Sequence, residues 1–227
     1  MSSSNGARIL YRLGHRLARF CFRVFGRLEI TGVECVPPYG PLIVVCNHLS
    51  SNDPPVLVAA IPRPLYFIAK QELFGNPVAR LCMRAFHVSP FNRSGSGIDA
   101  IRVLMQNLER DRAVVIFPEG HRSPDHTLKK GMSGVVYLAL KSQAPILPVA
   151  ITGTETFPIW RIPFPFRRMK ANIGAPFTLP VIEGRLSREV MSSLLDMVMG
   201  RIADLLPPEH RGVYGGKTQE EIAEQAV

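Results

Sequence analysis

The sequence lacks a run of eighteen apolar residues, and it lacks any pair of cysteines at C-x-x-C spacing. The first absence excludes a conventional transmembrane helix. The second leaves a zinc knuckle or a redox dithiol without support, and we expect Cys21, Cys35, Cys46 and Cys82 to be reduced, as in the cytosol. Arginines interrupt the apolar stretch near the start and no small-residue cleavage site follows it, so no signal peptide is expected.

Acidic residues are also few. Against 27 Lys and Arg there are 18 Asp and Glu, which gives a net charge of +9 over 227 residues. With 46% apolar and 20% charged residues the composition excludes a disordered chain, and the length favours one domain. A basic chain with a mean hydropathy of +0.11 favours a polyanionic partner, either a membrane surface or a nucleic acid.

The segment 8–28 predicts an amphipathic helix with one basic side. Its arginines fall within an arc of about 100°, and they are Arg8, Arg12, Arg16, Arg19, Arg23 and Arg27. The other side carries Leu10, Leu13, Leu17, Phe20, Cys21, Val24 and Phe25.

Two interpretations of this helix are open. It lies in an anionic membrane interface with its arginines toward the headgroups, or it packs on its own domain with a solvated basic face. Because no acidic residue accompanies the arginines, the membrane interpretation is favoured. Binding to nucleic acid explains the net charge but not the clustering on one face of an apolar helix, so no nucleic-acid partner is expected.

Beyond residue 28, short apolar runs alternate with amphipathic segments. The predicted strands are 28–31, 41–46, 65–69, 86–88, 113–117, 145–151 and 168–174. The predicted helices are 54–60, 76–84, 96–110, 132–142 and 187–205. This alternation predicts an α/β fold, namely a single domain with a mostly parallel central sheet flanked by helices, preceded by the amphipathic helix.

Four of the predicted strands run directly into polar loops. These loops are 47–53, 70–72, 89–95 and 118–123. Because the carboxyl ends of parallel strands meet at one edge of a sheet, we expect the four loops to share that edge and to form the functional site.

His48 and Asp53 are the candidate acid–base residues of the first loop. A tight loop places the carboxylate on one ring nitrogen of the imidazole and leaves the other nitrogen as a general base. The alternative makes Asp53 a plain helix N-cap and His48 an ordinary loop residue. Ser50 and Ser51 between them, and Cys46 before them, leave a covalent mechanism open, although Cys46 alternates out of an apolar strand as a buried hydrophobic residue would.

The fourth loop, 118–123, is a candidate phosphate site. Gly120 permits a tight turn, and the planar fork of Arg122 suits a phosphate oxyanion. The alternative is a structural turn closed by an ion pair between Glu119 and Arg122. Arg93, in the third loop, offers a second cation for phosphate.

Three motifs occur in order, each after a predicted strand: His-x4-Asp, Phe-x-Arg-Ser-Gly and Phe-Pro-Glu-Gly-x-Arg-Ser. In this combination the chain resembles the glycerolipid acyltransferase family, typified by 1-acylglycerol-3-phosphate O-acyltransferases. A fourth block, 145–151, extends the resemblance to roughly residues 28–175. His121 is a departure, because the family usually has threonine at this position.

The resemblance implies a role for each matching residue. It implies that His48 deprotonates an acceptor hydroxyl as this attacks an acyl thioester, and that Asp53 orients the imidazolium, with no covalent acyl-enzyme. It further implies that the phosphate and glycerol of the acceptor are held by Arg93, Glu119, Gly120, His121 and Arg122. Lys70 resembles a family lysine near the substrate entrance.

The resemblance also implies the reaction. We expect a lysophospholipid acceptor, 1-acylglycerol-3-phosphate giving phosphatidic acid, an acyl-CoA or acyl-acyl-carrier-protein donor, and neither metal nor cofactor. Glycerol-3-phosphate or another lysolipid is the alternative acceptor, and a non-catalytic lipid-binding module is the alternative function.

The expected organisation is a membrane-associating helix at 1–28, an acyltransferase domain at 29–206 and a polar tail at 207–227. The expected location is the cytoplasmic face of the cell membrane, peripheral or monotopic. An aromatic and basic segment at 157–170 is open to two interpretations, a membrane-dipping loop or a proline-rich connection packed on the core.

Overall fold

A computed structural model of the protein describes residues 3–91, 97–155, 161, 164–182, 184 and 187–216. Its strands are β1 (Leu28–Thr31), β2 (Leu42–Cys46), β3 (Leu65–Lys70), β4 (Val88–Phe91), β5 (Ala113–Ile116), β6 (Ile146–Thr152) and β7 (Met169–Ile173). Its helices are α1 (Ser3–Val24), α2 (Asp53–Ala60), α3 (Pro77–Ala85), α4 (Ile98–Leu108), α5 (Gly134–Ser142) and α6 (Arg188–Leu205).

The seven strands of these residues form one sheet in the order β1-β7-β6-β2-β5-β3-β4. All neighbouring pairs are parallel except β6 and β7. The central strand β2 is buried along its whole length and is rich in β-branched residues, as expected of a strand covered on both faces. The predicted α/β class and mostly parallel sheet are confirmed, and the carboxyl ends of β2, β3, β4 and β5 lie at one edge.

Helices cover both faces of the sheet. Phe22 of α1 and Leu57 of α2 belong to the core on one face. Leu104, Leu138 and Ile202, from α4, α5 and α6, belong to the core on the other. The crossover from β2 through α2 to β3 and the crossover from β3 through α3 to β4 run in the same direction along the sheet. Because crossovers between parallel strands are right-handed, α3 lies on the same face of the sheet as α1 and α2.

Helix α1 is attached to the domain by one of its sides. Phe22 is fully buried, and Tyr11 is buried with its hydroxyl accepting a hydrogen bond from Leu65 N at 3.3 Å. The Tyr11 ring stacks on His87, whose other face stacks on Tyr66, with centroid distances of 4.6 and 4.5 Å. Burial raises the pKa of Tyr11 to about 12. The packing of this helix on its own domain, the less favoured of the two interpretations, is therefore present along this side.

A second side of α1 carries apolar side chains that remain exposed, and we call it the outer stripe. Its members are Leu13, Leu17, Phe20 and Val24, which are 57%, 64%, 58% and 54% exposed. They span an arc of about 60°, and Arg16 and Arg23 follow on one flank. The sequence placed Cys21 among these residues, but Cys21 is buried. Within the described part of the chain, no helix has both the length and the apolarity needed to cross a bilayer.

Strand β4 differs from its predicted position at 86–88. Phe86 instead caps the end of α3, and His87 has a φ of +56°, so the strand begins only at Val88. Pro90 lies inside β4, which is tolerated because β4 is the edge strand of the sheet. The segment 92–96, which includes Arg93, lies outside the described residues.

The first part of the predicted tail packs on the domain. Two 3-10 turns, Pro208–His210 and Gly212–Tyr214, follow α6. Tyr214 is buried, and the Nδ1 atom of His210 lies 2.7 Å from the carbonyl oxygen of His126. Residues 217–227 lie outside the described residues.

Candidate active site

His48 and Asp53 are in direct contact. His48 follows β2 and Asp53 is the first residue of α2, with 2.8 Å between Nδ1 and Oδ2. The same Oδ2 accepts hydrogen bonds from Leu49 N at 2.8 Å and Ser50 N at 2.9 Å. Asn52, not Asp53, occupies the N-cap position of α2. The alternative that made Asp53 a plain N-cap is wrong, because its carboxylate is turned back onto the preceding loop.

The second carboxylate oxygen of Asp53 binds a residue that the sequence did not single out. Thr154 Oγ1 donates to Oδ1 at 2.5 Å, and the backbone oxygen of Thr154 accepts a hydrogen bond from Asn52 Nδ2 at 3.2 Å. All three side chains are buried. Thr154 follows β6, which is parallel to β2 and therefore ends at the same edge of the sheet. That position was the one signal that could have identified it.

Asn47 fixes the point at which the chain leaves β2. Its side chain accepts a hydrogen bond from Ile151 N at 2.8 Å and donates one to Ile151 O at 2.9 Å. The side chain therefore continues the hydrogen bonding between β2 and β6 beyond the end of β2. Neighbouring Cys46 is fully buried, and burial raises the pKa of its thiol well above the usual value. A buried, protonated thiol is a poor nucleophile, which disfavours a covalent mechanism through Cys46.

Glu119 holds the backbone of the His48 loop. Its Oε1 accepts from His48 N at 2.7 Å and its Oε2 from Lys129 N at 3.0 Å. Ser123 N donates to His48 O at 2.8 Å, so the 119–123 turn binds both backbone groups of His48. Glu119 is 2% exposed, and this burial raises its pKa. Its carboxylate is occupied by backbone amides and is turned away from solvent.

Residues 120–122 of the turn face outward. Gly120 has a φ of +72°, which favours glycine, and its N–H donates to Phe117 O at 3.0 Å. His121 is exposed, with Nδ1 2.8 Å from Glu119 O. Exposed Arg122 donates from Nη1 to Ser51 Oγ at 3.0 Å. Arg122 therefore lies beside the His48 loop, and no ion pair forms between it and Glu119, both of which the structure describes.

Lys70 is not brought into this cluster. Lys70 ends β3 at the same edge of the sheet and is exposed, but its described contacts do not include His48 or the 119–123 turn. Arg93 lies among the residues whose structure is not described. The binding roles of Lys70 and Arg93 stay predictions.

The free side of the His48 ring is open to a reactant. The ring stacks on Phe117 at a centroid distance of 4.1 Å, and its side chain is 19% exposed. A carboxylate only accepts hydrogen bonds, so Nδ1 carries the hydrogen and Nε2 keeps a free lone pair. Such an imidazole is arranged to take a proton from a bound hydroxyl group.

In the described ranges no group of three or more His, Cys, Asp and Glu side chains is arranged to hold a metal ion. That the chemistry needs neither metal nor cofactor stays a prediction of the family resemblance.

Residues 27–152, which include His48, Asp53, Glu119 and Arg122, match the family model described as Acyltransferase. The chain belongs to the acyltransferase family. This membership confirms the resemblance drawn from the three motifs.

Two named relatives of this acyltransferase illustrate the range of the match. The 1-acyl-sn-glycerol-3-phosphate acyltransferase of Bacillus subtilis is 26% identical over 198 residues, which cover 86% of this chain and 96% of that protein. The human 1-acyl-sn-glycerol-3-phosphate acyltransferase alpha is 33% identical over 135 residues, 58% of this chain. The matched region spans about half of the human protein, 47% of its length.

The fold has a counterpart of known structure. The 1-acyl-sn-glycerophosphate (LPA) acyltransferase PlsC of Thermotoga maritima superimposes with a TM-score of 0.68 at 24% identity. The superposition covers 87% of this acyltransferase and 80% of the other chain. The likeness shows that the two chains share the α/β fold.

Proposed function

We propose that this acyltransferase moves a fatty acyl group from an acyl thioester to the free hydroxyl of a lysophospholipid, 1-acylglycerol-3-phosphate, to give phosphatidic acid. The observation that carries the proposal is the contact between His48 and a fully buried Asp53 at the carboxyl edge of the sheet. The names of the Bacillus subtilis and human relatives support the choice of acceptor.

His48 acts as the general base. Its Nε2 takes the proton of the acceptor hydroxyl as the hydroxyl oxygen attacks the thioester carbonyl carbon. The C–O ester bond forms, the C–S bond breaks, and the proton passes from Nε2 to the leaving thiolate. Asp53 stabilises the imidazolium in between, and its four hydrogen-bond donors hold the carboxylate in place.

The acceptor phosphate binds on the exposed side of the 119–123 turn. Arg122 reaches Ser51 in the loop that carries the base, so a phosphate held by Arg122 stands close to His48. Gly120 and His121 lie on the same exposed turn, and Arg93 and Lys70 are the further cations assigned to substrate. Glu119 acts as a positioning residue, because both of its oxygens bind backbone amides.

The donor is acyl-CoA or an acyl-acyl-carrier-protein, since both present the same thioester to the base. Glycerol-3-phosphate is the second candidate acceptor, because it offers the same phosphate to Arg122. A non-catalytic lipid-binding function is disfavoured, since it gives no reason to hold an imidazole against a buried carboxylate.

The enzyme works at the surface of an anionic membrane, on its cytoplasmic face. The outer stripe of α1 is exposed although the opposite side of the helix is buried, and arginines flank it. Phe164 and Phe166, 51% and 70% exposed, contact Phe25 at centroid distances of 4.8 and 5.8 Å. They extend the same surface beyond α1, which favours the membrane-dipping interpretation for this part of the 157–170 segment. Residues 157–160, 162 and 163 lie outside the described residues.

The reaction is tested with a panel of lysolipids, glycerol-3-phosphate and both donor types, with products identified by mass spectrometry. We expect phosphatidic acid from 1-acylglycerol-3-phosphate. His48→Ala lowers kcat by about 10²–10⁴ without unfolding the protein, and Asp53→Asn is severely impaired. A His48→Ala variant with near-native kcat refutes the mechanism.

Membrane association is tested with substitutions, because deleting α1 would uncover the core at Tyr11 and Phe22. Replacing Arg16 and Arg23 with Gln removes about 1 kcal/mol of attraction per arginine toward an anionic leaflet. Sedimentation with anionic vesicles should fall accordingly, and raised salt should weaken the native protein in the same way. Unchanged partitioning of the variant would show that α1 only packs on the domain.

A further inference from the structure

Helix α3, like α1, has a side that faces the domain, an exposed apolar side and a basic side. Val78 and Leu81 lie on one side and are 69% and 65% exposed, and Cys82 on that side is exposed as well. Arg80 and Arg84 lie on another side of the helix. No residue of α3 is buried.

This division is unusual for a helix in contact only with water and its own domain. A surface helix of a soluble domain turns its apolar side inward and its charges outward. In α3 the inward residues, Ala79 and Met83, are half-buried, and the larger apolar side chains point away from the domain. The exposed side therefore lacks an apolar partner among the described residues.

The position of α3 connects it to the outer stripe of α1. Both helices lie on the same face of the sheet, and Phe86, which caps α3, packs on Gly14 and against the Tyr11 ring at a centroid distance of 6.2 Å. Leu13, at the start of the outer stripe, is adjacent to Gly14 in α1. The exposed apolar sides of α3 and α1 therefore belong to contacting helices on one face of the sheet, and Phe164 lies beyond the end of α1.

The charge of α3 identifies what covers this surface. Its only charged side chains are Arg80 and Arg84, with no acidic residue from Pro77 to Ala85. Both arginines line a cavity of about 410 Å³ together with Pro90 of β4. In a helix that lies in an anionic membrane interface, arginines contact the lipid headgroups and apolar side chains enter the acyl layer below them. The arginines and the exposed apolar side of α3 fit this arrangement.

We propose that α3 is a second membrane-inserting element, whose Val78, Leu81 and Cys82 side enters an anionic bilayer next to α1. The inference rests on the membrane-surface function proposed above and extends it to the catalytic edge. Since α3 connects β3 to β4, whose carboxyl ends belong to that edge, its insertion brings the membrane surface to the edge at which an acyl-chain substrate must arrive.

Cys82 offers a direct test, because Cys21 and Cys46 are buried. In a Cys35→Ser background, an environment-sensitive fluorophore on Cys82 is titrated with vesicles of phosphatidylglycerol and phosphatidylcholine. We expect a blue shift, quenching by nitroxide-labelled lipid acyl chains and protection from aqueous iodide. The control variant carries Cys82→Ser and Glu109→Cys in the same background, so its label is placed near the end of α4. This label should remain accessible to iodide and unaffected by the lipid nitroxide.

A second measurement tests the consequence for activity. The Val78→Gln/Leu81→Gln variant should lose about tenfold in rate on vesicle-borne lysolipid and stay unchanged on a dispersed short-chain lysolipid. The matched control, Val181→Gln/Val213→Gln, changes side chains that are 75% and 65% exposed, and it should behave as the native protein on both substrates.

Two results would overturn the proposal. One is a Cys82 label that remains open to iodide when the protein sediments with vesicles. The other is protection of the Cys82 label from iodide without vesicles, in a protein that sediments as a dimer, which would identify a second copy of the chain as the partner of this side. Lipid quenching of the Cys82 label without any acyl transfer would refute the proposed reaction and leave the membrane role of α3 intact.

Discussion

Replacing Thr154 with valine removes one hydrogen-bond donor from Asp53 and keeps the shape of the side chain. Thr154 Oγ1 donates to Asp53 Oδ1, and both residues are fully buried, so water cannot take the place of the hydroxyl. A hydrogen bond to a charged group contributes about 1.5–3 kcal/mol. We expect Thr154→Val to lower the free energy of unfolding by about this amount.

The same change should slow catalysis. With Oδ1 free, the carboxylate can rotate away from His48 Nδ1, and the imidazolium of the transition state loses part of its stabilisation. Each 1.4 kcal/mol lost only in the transition state lowers kcat about tenfold, so a decrease of about tenfold is expected with little change in the KM of either substrate.

Thr154→Ser is the matched control. It keeps the hydroxyl and removes one methyl group, which costs about 0.8 kcal/mol. Urea unfolding gives the stabilities, and steady-state kinetics on a dispersed short-chain lysolipid gives kcat without the contribution of membrane binding. Equal stability and equal kcat for the valine and serine variants would refute the role assigned to the Thr154 hydroxyl.

Three further predictions concern the 119–123 turn. Burial raises the pKa of Glu119 above its usual 4.5, so just above that pH the folded state keeps a proton that the unfolded chain has lost. The free energy of unfolding in urea should therefore fall for the native protein, relative to Glu119→Gln, as the pH rises above about 4.5. A stability difference between the two proteins that does not change with pH would contradict this prediction. Arg122→Ala should raise the acceptor KM about tenfold to a hundredfold, and a rise in donor KM instead would show that the phosphate assignment is wrong. Gly120→Ala should destabilise the fold by about 1–3 kcal/mol in thermal unfolding, because Gly120 has a positive φ and the new Cβ meets the Met132 sulfur; a loss below about 0.5 kcal/mol would contradict it.

The N-terminal helix shows where periodicity stops being informative. The pattern of α1 separates arginines from apolar residues, but it cannot divide the apolar residues into those that the domain covers and those that it leaves exposed. Cys21 and Phe22 are buried whereas Phe20 and Val24 are exposed. That division depends on where α2 and β3 lie, which is a property of the packed chain.

The contact between His48 and Asp53 and the residues that support it differ in the same way. His48 and Asp53 are separated by four residues, so local spacing was enough to predict their contact. Thr154 and Glu119 contact Asp53 and His48 from 101 and 71 residues away, so local spacing could not predict these hydrogen bonds.

The sequence by itself determined the α/β class and the alternation of strands and helices, because both follow from short-range hydrophobic periodicity, and the spacing of His48 and Asp53 within one loop predicted their contact. The position of β4 was missed, since an edge strand tolerates Pro90, which argues against a strand elsewhere. Only the tertiary structure decided that Glu119 binds the backbone of His48, that Thr154 completes the environment of Asp53, and that α1 and α3 keep apolar sides exposed. These contacts join segments far apart in the chain, and their partners are set by the order of strands in the sheet.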